Sequence, residues 1–508
     1  MSYVIEQKVK NHTYLYQVES YWDKEKKQSR QRRIYIGKKD PDTGEIIKNE
    51  RTYGAWDKGH TYLLQTIVQS IGLSGELKKA FPDLWQEIIT LAFFKTIEGK
   101  PFYLCNDWLE TVDLENKPNL SSQKISYLLK DLSTRKDSIF NFFTSWTNHQ
   151  KDANNFIVFD ITSLSSYSKE IDFVEWGYNR DKESLAQVNL GIIYGRPADL
   201  PLFYSLYPGS IHDVSTLTNI VTEIGVLTLD KTTFVLDKGF YSSSNLSKMS
   251  EIKHIIPLPV RTNNEKEIVD KHKQHIRSSR YAFTYNKQVH YCVEDSISIA
   301  GIEYHAYIYL NEKKQLEQRE KFLKAIIECE QYVAAQGYKR RKEFDDFFNE
   351  RKPSLIPYFG LKKRGQKNIL VRNDDEIDKA LSVMGIFVLL TNTELSGPEV
   401  LQLYREKDGV EKSFDSLKHN LDLKRLRVHS QSVLEGLLFI EFIALILYSY
   451  MMKVLRESGL NKSLSIPEAL FELRKIKKIQ FGRKKTIITE SSKRNKEIYK
   501  AFGIKPLS

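Results

Sequence analysis

Between Asn155 and Val260 the apolar residues come in short runs broken by turns, and no other feature of the chain restricts its fold as much. "FIVFD", "LAQVNLGIIY" and "LPLFYSLYP" read as strands, and "DVSTLTNIVTEIG" as a helix opened by Asp213. "TTFVLDKGF" is a further strand, "SSSNLSKM" a short helix and "HIIPLPV" another strand. Three strands, helix, strand, helix, strand describe an α/β sheet. Two of the runs end in a carboxylate, Asp160 and Asp237. Side chains at the carboxyl ends of strands emerge into a crevice where ligands and chemistry collect. A lone Asp there is usually a turn or cap residue, so a pair gains weight only with a third partner.

The stretch "YREKDGVEKSFDSLK" offers one. Wound as a continuous α-helix, Tyr404, Lys407, Glu411 and Lys418 fall on one polar stripe about 60° wide. Leu403, Val410, Phe414, Leu417 and Leu421 form the apolar stripe beside it. Two cations, a carboxylate and a phenol on the edge of a buried face suit the rim of an active site. An ion-paired interface helix has the same spacing. Upstream, Ser396 and Glu399 make a capping box with Pro398 in the first turn.

Three carboxylates without a His or Cys cluster suit hard cations, Mg²⁺ or Mn²⁺, better than zinc. Two such ions can activate the attacking oxygen and neutralise the leaving one in a phosphoryl displacement. Tyr404, Lys407 and Lys418 would then hold the phosphate of the scissile strand. The net charge of +12 agrees with a polyanionic partner.

At 508 residues the chain exceeds one hydrophobic core. We read a β-meander at 1–58, a helical, DNA-binding segment at 59–150, and an α/β core at 151–261 and 386–455. That core is split by a strand-rich and helical insertion at 262–385, and a basic helical region follows at 456–508. In "SSQKISYLLKDL", Ser122 caps a helix that turns Gln123, Lys124 and Lys130 outward, as the second helix of a helix-turn-helix would. Lys24, Lys26, Lys27, Arg30, Arg32 and Arg33 cluster at a hairpin tip, either solvated or against a DNA backbone. The apolar run Leu437 to Met452 is too short for a membrane span and carries Glu441, so it is expected as a buried core helix. Three scattered cysteines and no targeting segment suit the cytoplasm. Among weaker signals, the His212-Asp213 pair suggests a metal or acid–base site but Asp213 is read as the N-cap of the following helix, Gln187 as a sheet-edge hydrogen bonder rather than a substrate contact, and Thr162 and Ser163 as phosphate or turn contacts.

Taken together, "FDITSLSSYS", "WGYNRDKESLAQVNLGIIY", "LPLFYSLYPGSIHDVSTL", "FVLDKGFYSSSNL" and the Glu411 helix resemble the DDE transposases of bacterial insertion sequences. Within them, the chain is similar to the subgroup with a Y-x2-R-x3-E-x6-K signature, matched here by Tyr404, Lys407, Glu411 and Lys418. Lys407 replaces the Arg, losing the bidentate fork while keeping the charge. The resemblance implies an RNase H-like core in which Asp160, Asp237 and Glu411 bind two Mg²⁺ ions, with Mn²⁺ substituting. It implies cleavage at transposon ends and transfer of the freed 3′-OH into target DNA. Double-stranded DNA at the terminal inverted repeats and at the target, and a homodimeric synaptic complex near the nucleoid, are the implied partners and setting. A DNA-binding protein that no longer cuts, or an RNase H-like nuclease that never joins, are the competing readings.

Overall fold

The computed structural model describes the chain except residues 1, 11, 24–26, 42, 45, 48–51, 212, 228, 230, 231, 260–262, 339, 366, 482–484 and 508. Lys24, Lys26 and His212, weighed above, lie outside the described residues. Its contacts group into two units: Met1–Ile67, Leu104–Asn119 and Val454–Ser508 form one, and Val68–Tyr103 and Leu120–Lys453 the other. The helical stretch expected at 59–150 is shared between them.

The larger unit is built on a ten-stranded sheet. Its strands are β1 (Asn154–Ser166), β2 (Gln187–Pro197), β3 (Leu200–Pro208), β4 (Thr233–Val235), β5 (His254–Leu258), β6 (Ala282–Tyr285), β7 (Gln288–Ile299), β8 (Ile302–Leu310), β9 (Ile386–Thr391) and β10 (Arg425–Leu426). The order is β6-β7-β8-β9-β5-β4-β1-β2-β3, with β10 parallel to the far end of β1. β1, β2 and β3 form an antiparallel meander, while β4 lies parallel to both β1 and β5. β1 and β2 are buried along almost their whole length, which is why they read as continuous apolar runs.

Two expectations change here. β1 does not stop at Asp160 but runs six residues further, through buried Thr and Ser residues that still pair with β2. The segment at 262–385 is also not uniform. β6, β7 and β8 extend the main sheet through β8–β9 pairing. Beyond them, Glu312–Gln336, Arg341–Arg351, the hairpin of Phe359–Arg364 with Lys367–Arg372, and Asp374–Ser382 gather around their own core of Ile326, Val333, Phe344, Phe347 and Leu355.

Four helices of this unit matter to the site: α1 (Trp85–Glu98), α2 (Gly397–Arg405), α3 (Asp408–Asp415) and α4 (Gln431–Glu457). α4 is apolar enough to pass for a membrane span, yet 83% of its most apolar window is buried within the protein. Glu441, in its middle, lies 3.0 Å from the ammonium of Lys95 of α1. A helix apolar all round is a core helix when a partner covers every face. Ser121, not Ser122, caps the helix Ser122–Thr134; its hydroxyl accepts from the Lys124 amide at 3.4 Å. Gln123, Lys124 and Lys130 point outward as expected.

The smaller unit carries an antiparallel sheet of Ser2–Val9, His12–Asp23, Gln28–Lys39 and Ile46–Ile47. The C-terminal region is not purely helical. Between helices Ile466–Leu473 and Lys493–Ala501, strands Lys477–Phe481 and Lys485–Ile488 join Thr52–Asp57 in a second sheet. Its cations are drawn there by acids at the other end of the sequence: Lys477 and Arg474 pair with Asp57, and Lys478 with Asp113.

Candidate active site

Strand register brings the first two carboxylates together. β1 and β4 are parallel neighbours, and their last paired residues are Val158 and Val235. Two residues further along each chain stand Asp160 and Asp237. Adjacent strands lie about 4.8 Å apart, so a shared offset of two brings both acids close together, and the charge of Asp237 acts on Asp160. Asp160 is mid-strand, opposite Ile192 of β2, and one of its oxygens accepts from the Ile161 amide at 2.9 Å. Asp237 lies past the end of β4 and caps a short 3₁₀ turn, accepting from the Lys238 amide at 2.7 Å.

The third acid arrives on a broken helix. The stretch expected as one helix from Tyr404 to Lys418 is three pieces: α2, α3 and a π-turn at Ser416–Asn420. The break falls at Glu406 and Lys407, just before Asp408 and Gly409, both poor helix formers. Arg196 of β2 holds the corner, pairing with Glu406 at 3.2 Å and lying close against Gly409. The Ser396–Glu399 capping box opens α2 as expected.

This corner turns Lys407 inward. Its side chain is buried, with the ammonium 3.0 Å from Asp237 and 3.8 Å from Glu411. Burial pushes the Asp160 carboxyl up to about 6; Lys407 opposes the shift and the neighbouring Asp237 adds to it. Burial also works against the charge on Lys407, but Asp237 and Asp160 outweigh it and hold its pKa above the ordinary lysine value. Tyr404 lies within the same field. All three acids are therefore electrostatically linked through one ammonium. Glu411 is the most exposed, at 61%.

Lys418 departs from the expected stripe. The π-turn rotates it away from Glu411, and its buried ammonium is taken by both oxygens of Asp181, at 2.8 and 2.7 Å. In this arrangement it anchors the loop that carries Asp181. Spacing could not show this, because a π-turn shifts the phase of everything after it. Arg180, next to that Asp, was not singled out in the sequence. It donates to Ser163 at 3.3 Å, and its charge reaches Asp160. Ser163 thus serves the loop, as does Gln187, whose amide donates to the Tyr178 carbonyl at 2.8 Å. Asp213 is the first residue of its helix.

Among the described residues, no group of three His, Cys, Asp or Glu closes into a metal cage. The donor set nevertheless fits a hard cation. It is all carboxylate oxygen, burial works against the charge on Asp160 so that a nearby cation favours its ionised form, and a cation (Lys407) already bridges Asp237 and Glu411.

The family model for the transposase DDE domain matches residues 151–447. The chain belongs to the DDE transposase family. The matched span opens just before β1 and closes within α4, so it contains Asp160, Asp237 and Glu411. No curated protein matches this transposase. Among solved structures it is similar to the piggyBac transposase synaptic complex with hairpin DNA, determined by cryo-electron microscopy. The identity is 11% and the TM-score 0.35, over 76% of this chain and 68% of that one.

Proposed function

We propose that this transposase cuts DNA at the ends of a mobile element and joins the freed 3′-OH to target DNA, using Asp160, Asp237 and Glu411. The observation that carries the reading is that Asp160 and Asp237 each follow the last β1–β4 pair by two residues, with Lys407 paired to Asp237 and Glu411. The sheet order β3-β2-β1-β4-β5, antiparallel then parallel, supports an RNase H-like core. Asp160, Asp237 and Glu411 would hold divalent ions, Mg²⁺ with Mn²⁺ as substitute. Two such ions supply charge to activate the attacking oxygen and stabilise the leaving one. Tyr404 and Lys407 stand beside the acids where the scissile phosphate would lie, and Lys407 passes from carboxylate to phosphate when the strand enters. The partners proposed are double-stranded DNA at the inverted repeats of a bacterial insertion sequence, target DNA, and a second copy in the synaptic complex, acting at the nucleoid.

The test is incubation of the purified protein with Mn²⁺ and a duplex carrying the repeats that flank its own reading frame. Nicked ends followed by fragments joined to target DNA are expected. Binding with no nicking under any metal condition would identify a DNA-binding protein that has lost cleavage. Cutting without joined products would identify a nuclease.

A further inference from the structure

Among the described residues, the two most exposed large apolar side chains are Tyr178, at 73%, and Trp176, at 71%. They sit two residues apart on the loop between β1 and β2, and Tyr167, where that loop begins, is 67% exposed. Exposed rings on a mobile loop could fold back on themselves. The backbone carrying these is instead tied down at several points. Glu175 and Gln187 exchange both backbone hydrogen bonds, at 3.0 and 2.9 Å. Gly177 is pressed on Gly209, where an added Cβ would meet the carbonyl oxygen at 1.9 Å. The Tyr178 carbonyl accepts from Gln187, and Asn179 donates to Ser165 of β1 at 3.1 Å. Asp181 is clamped by Lys418.

Gly177 is packed on Gly209, while Trp176 and Tyr178 on either side of it both stand largely in solvent. Leaving two such rings in water forgoes their burial free energy, and the fold fixes them there. The same loop continues into Arg180, whose charge reaches Asp160. At its far end Arg425 lies over the Tyr167 ring, 5.9 Å away. Rigid aromatic faces interleaved with cations, leading toward acids that would cut a phosphodiester, match unpaired nucleobases on a charged strand.

We propose that Trp176 and Tyr178 form a stacking platform for unpaired bases of the DNA strand next to the cleaved phosphate. This rests on the reading of the protein as a DNA enzyme. The test uses oligothymidylate of twenty nucleotides and a blunt twenty-base-pair duplex, with wild type, Trp176→Ala, Tyr178→Ala and the double variant. Because both side chains are exposed, thermal unfolding should be unchanged by either substitution. Oligothymidylate is expected to quench tryptophan fluorescence, with the quench lost in Trp176→Ala. Single-strand affinity should fall about tenfold in each variant, while duplex affinity stays within about twofold. Wild-type binding to both DNAs with no change in any variant would overturn the platform and leave the DNA-enzyme reading intact. Wild-type binding to neither DNA would overturn both. Unchanged DNA affinity with a variant-dependent shift in sedimentation would overturn the platform by showing that the rings bind protein instead.

Discussion

Lys407 is the residue on which the site turns. It neutralises Asp237 and Glu411 while lying within the field of Asp160, so a divalent ion entering the site must compete with it. Lys407→Met should therefore bind Mn²⁺ roughly tenfold more tightly than wild type without DNA, as read by electron paramagnetic resonance. Equal or weaker binding would show that the ammonium is not a competitor. Asp237→Asn should lose strand cleavage while keeping end binding, as followed by gel shift and nicking on one substrate; parallel loss of both would give Asp237 a structural role. Lys418 behaves differently. Removing it leaves the Asp181 carboxylate without its partner, so Lys418→Met should cost about 2 kcal/mol in denaturant unfolding. An unchanged midpoint would mean that the pair contributes nothing to the loop.

At the scale of elements, α4 organises the larger unit, and two of its contacts make its packing testable. Gly436 lies against the backbone of Leu129, where an added Cβ would meet the carbonyl oxygen at 2.0 Å. Gly436→Ala must push the helices apart, and a loss of about 1–3 kcal/mol is expected from calorimetry. Glu441 is fully buried, which raises its carboxyl to about 7 against the opposing pull of Lys95. Between the ordinary glutamate value and about 7, the folded chain keeps a proton that the unfolded chain releases. Stability should therefore fall as pH rises through that window, by about 1.4 kcal/mol per unit from this group. Glu441→Gln should flatten the slope. The same buried lysine donates to the Leu421 carbonyl at 3.1 Å, just after the π-turn, so α1 also steadies the end of the segment that carries Glu411.

Over the whole molecule, the surplus of cations predicts that the logarithm of duplex affinity falls linearly with the logarithm of salt concentration, with a slope of about −0.9 per phosphate contacted; affinity independent of salt would remove DNA as the partner. How far such properties can be read without coordinates follows from their physical range. Net charge is a sum over residues and needs no fold. Strand and helix types around Asp160 and Asp237 were legible because burial writes a period into the sequence, and the Ser396–Glu399 box was legible because caps are local. What joins residues far apart in the chain was not. The end of β1 was misplaced because four of its last six residues are Thr or Ser, held in place by pairing with β2 and β10. The two strands of the C-terminal region exist because Thr52–Asp57 pairs with one of them. Arg180 and Asp181 drew no attention in the sequence, because their partners Ser163 and Lys418 are brought to them only by the fold. The sequence alone determined which residues can carry charge, bind a hard cation and alternate in and out of a sheet. Tertiary structure decided which of them meet, since a one-turn break at Lys407 and a π-turn at Ser416–Asn420 reset the direction of every side chain beyond them.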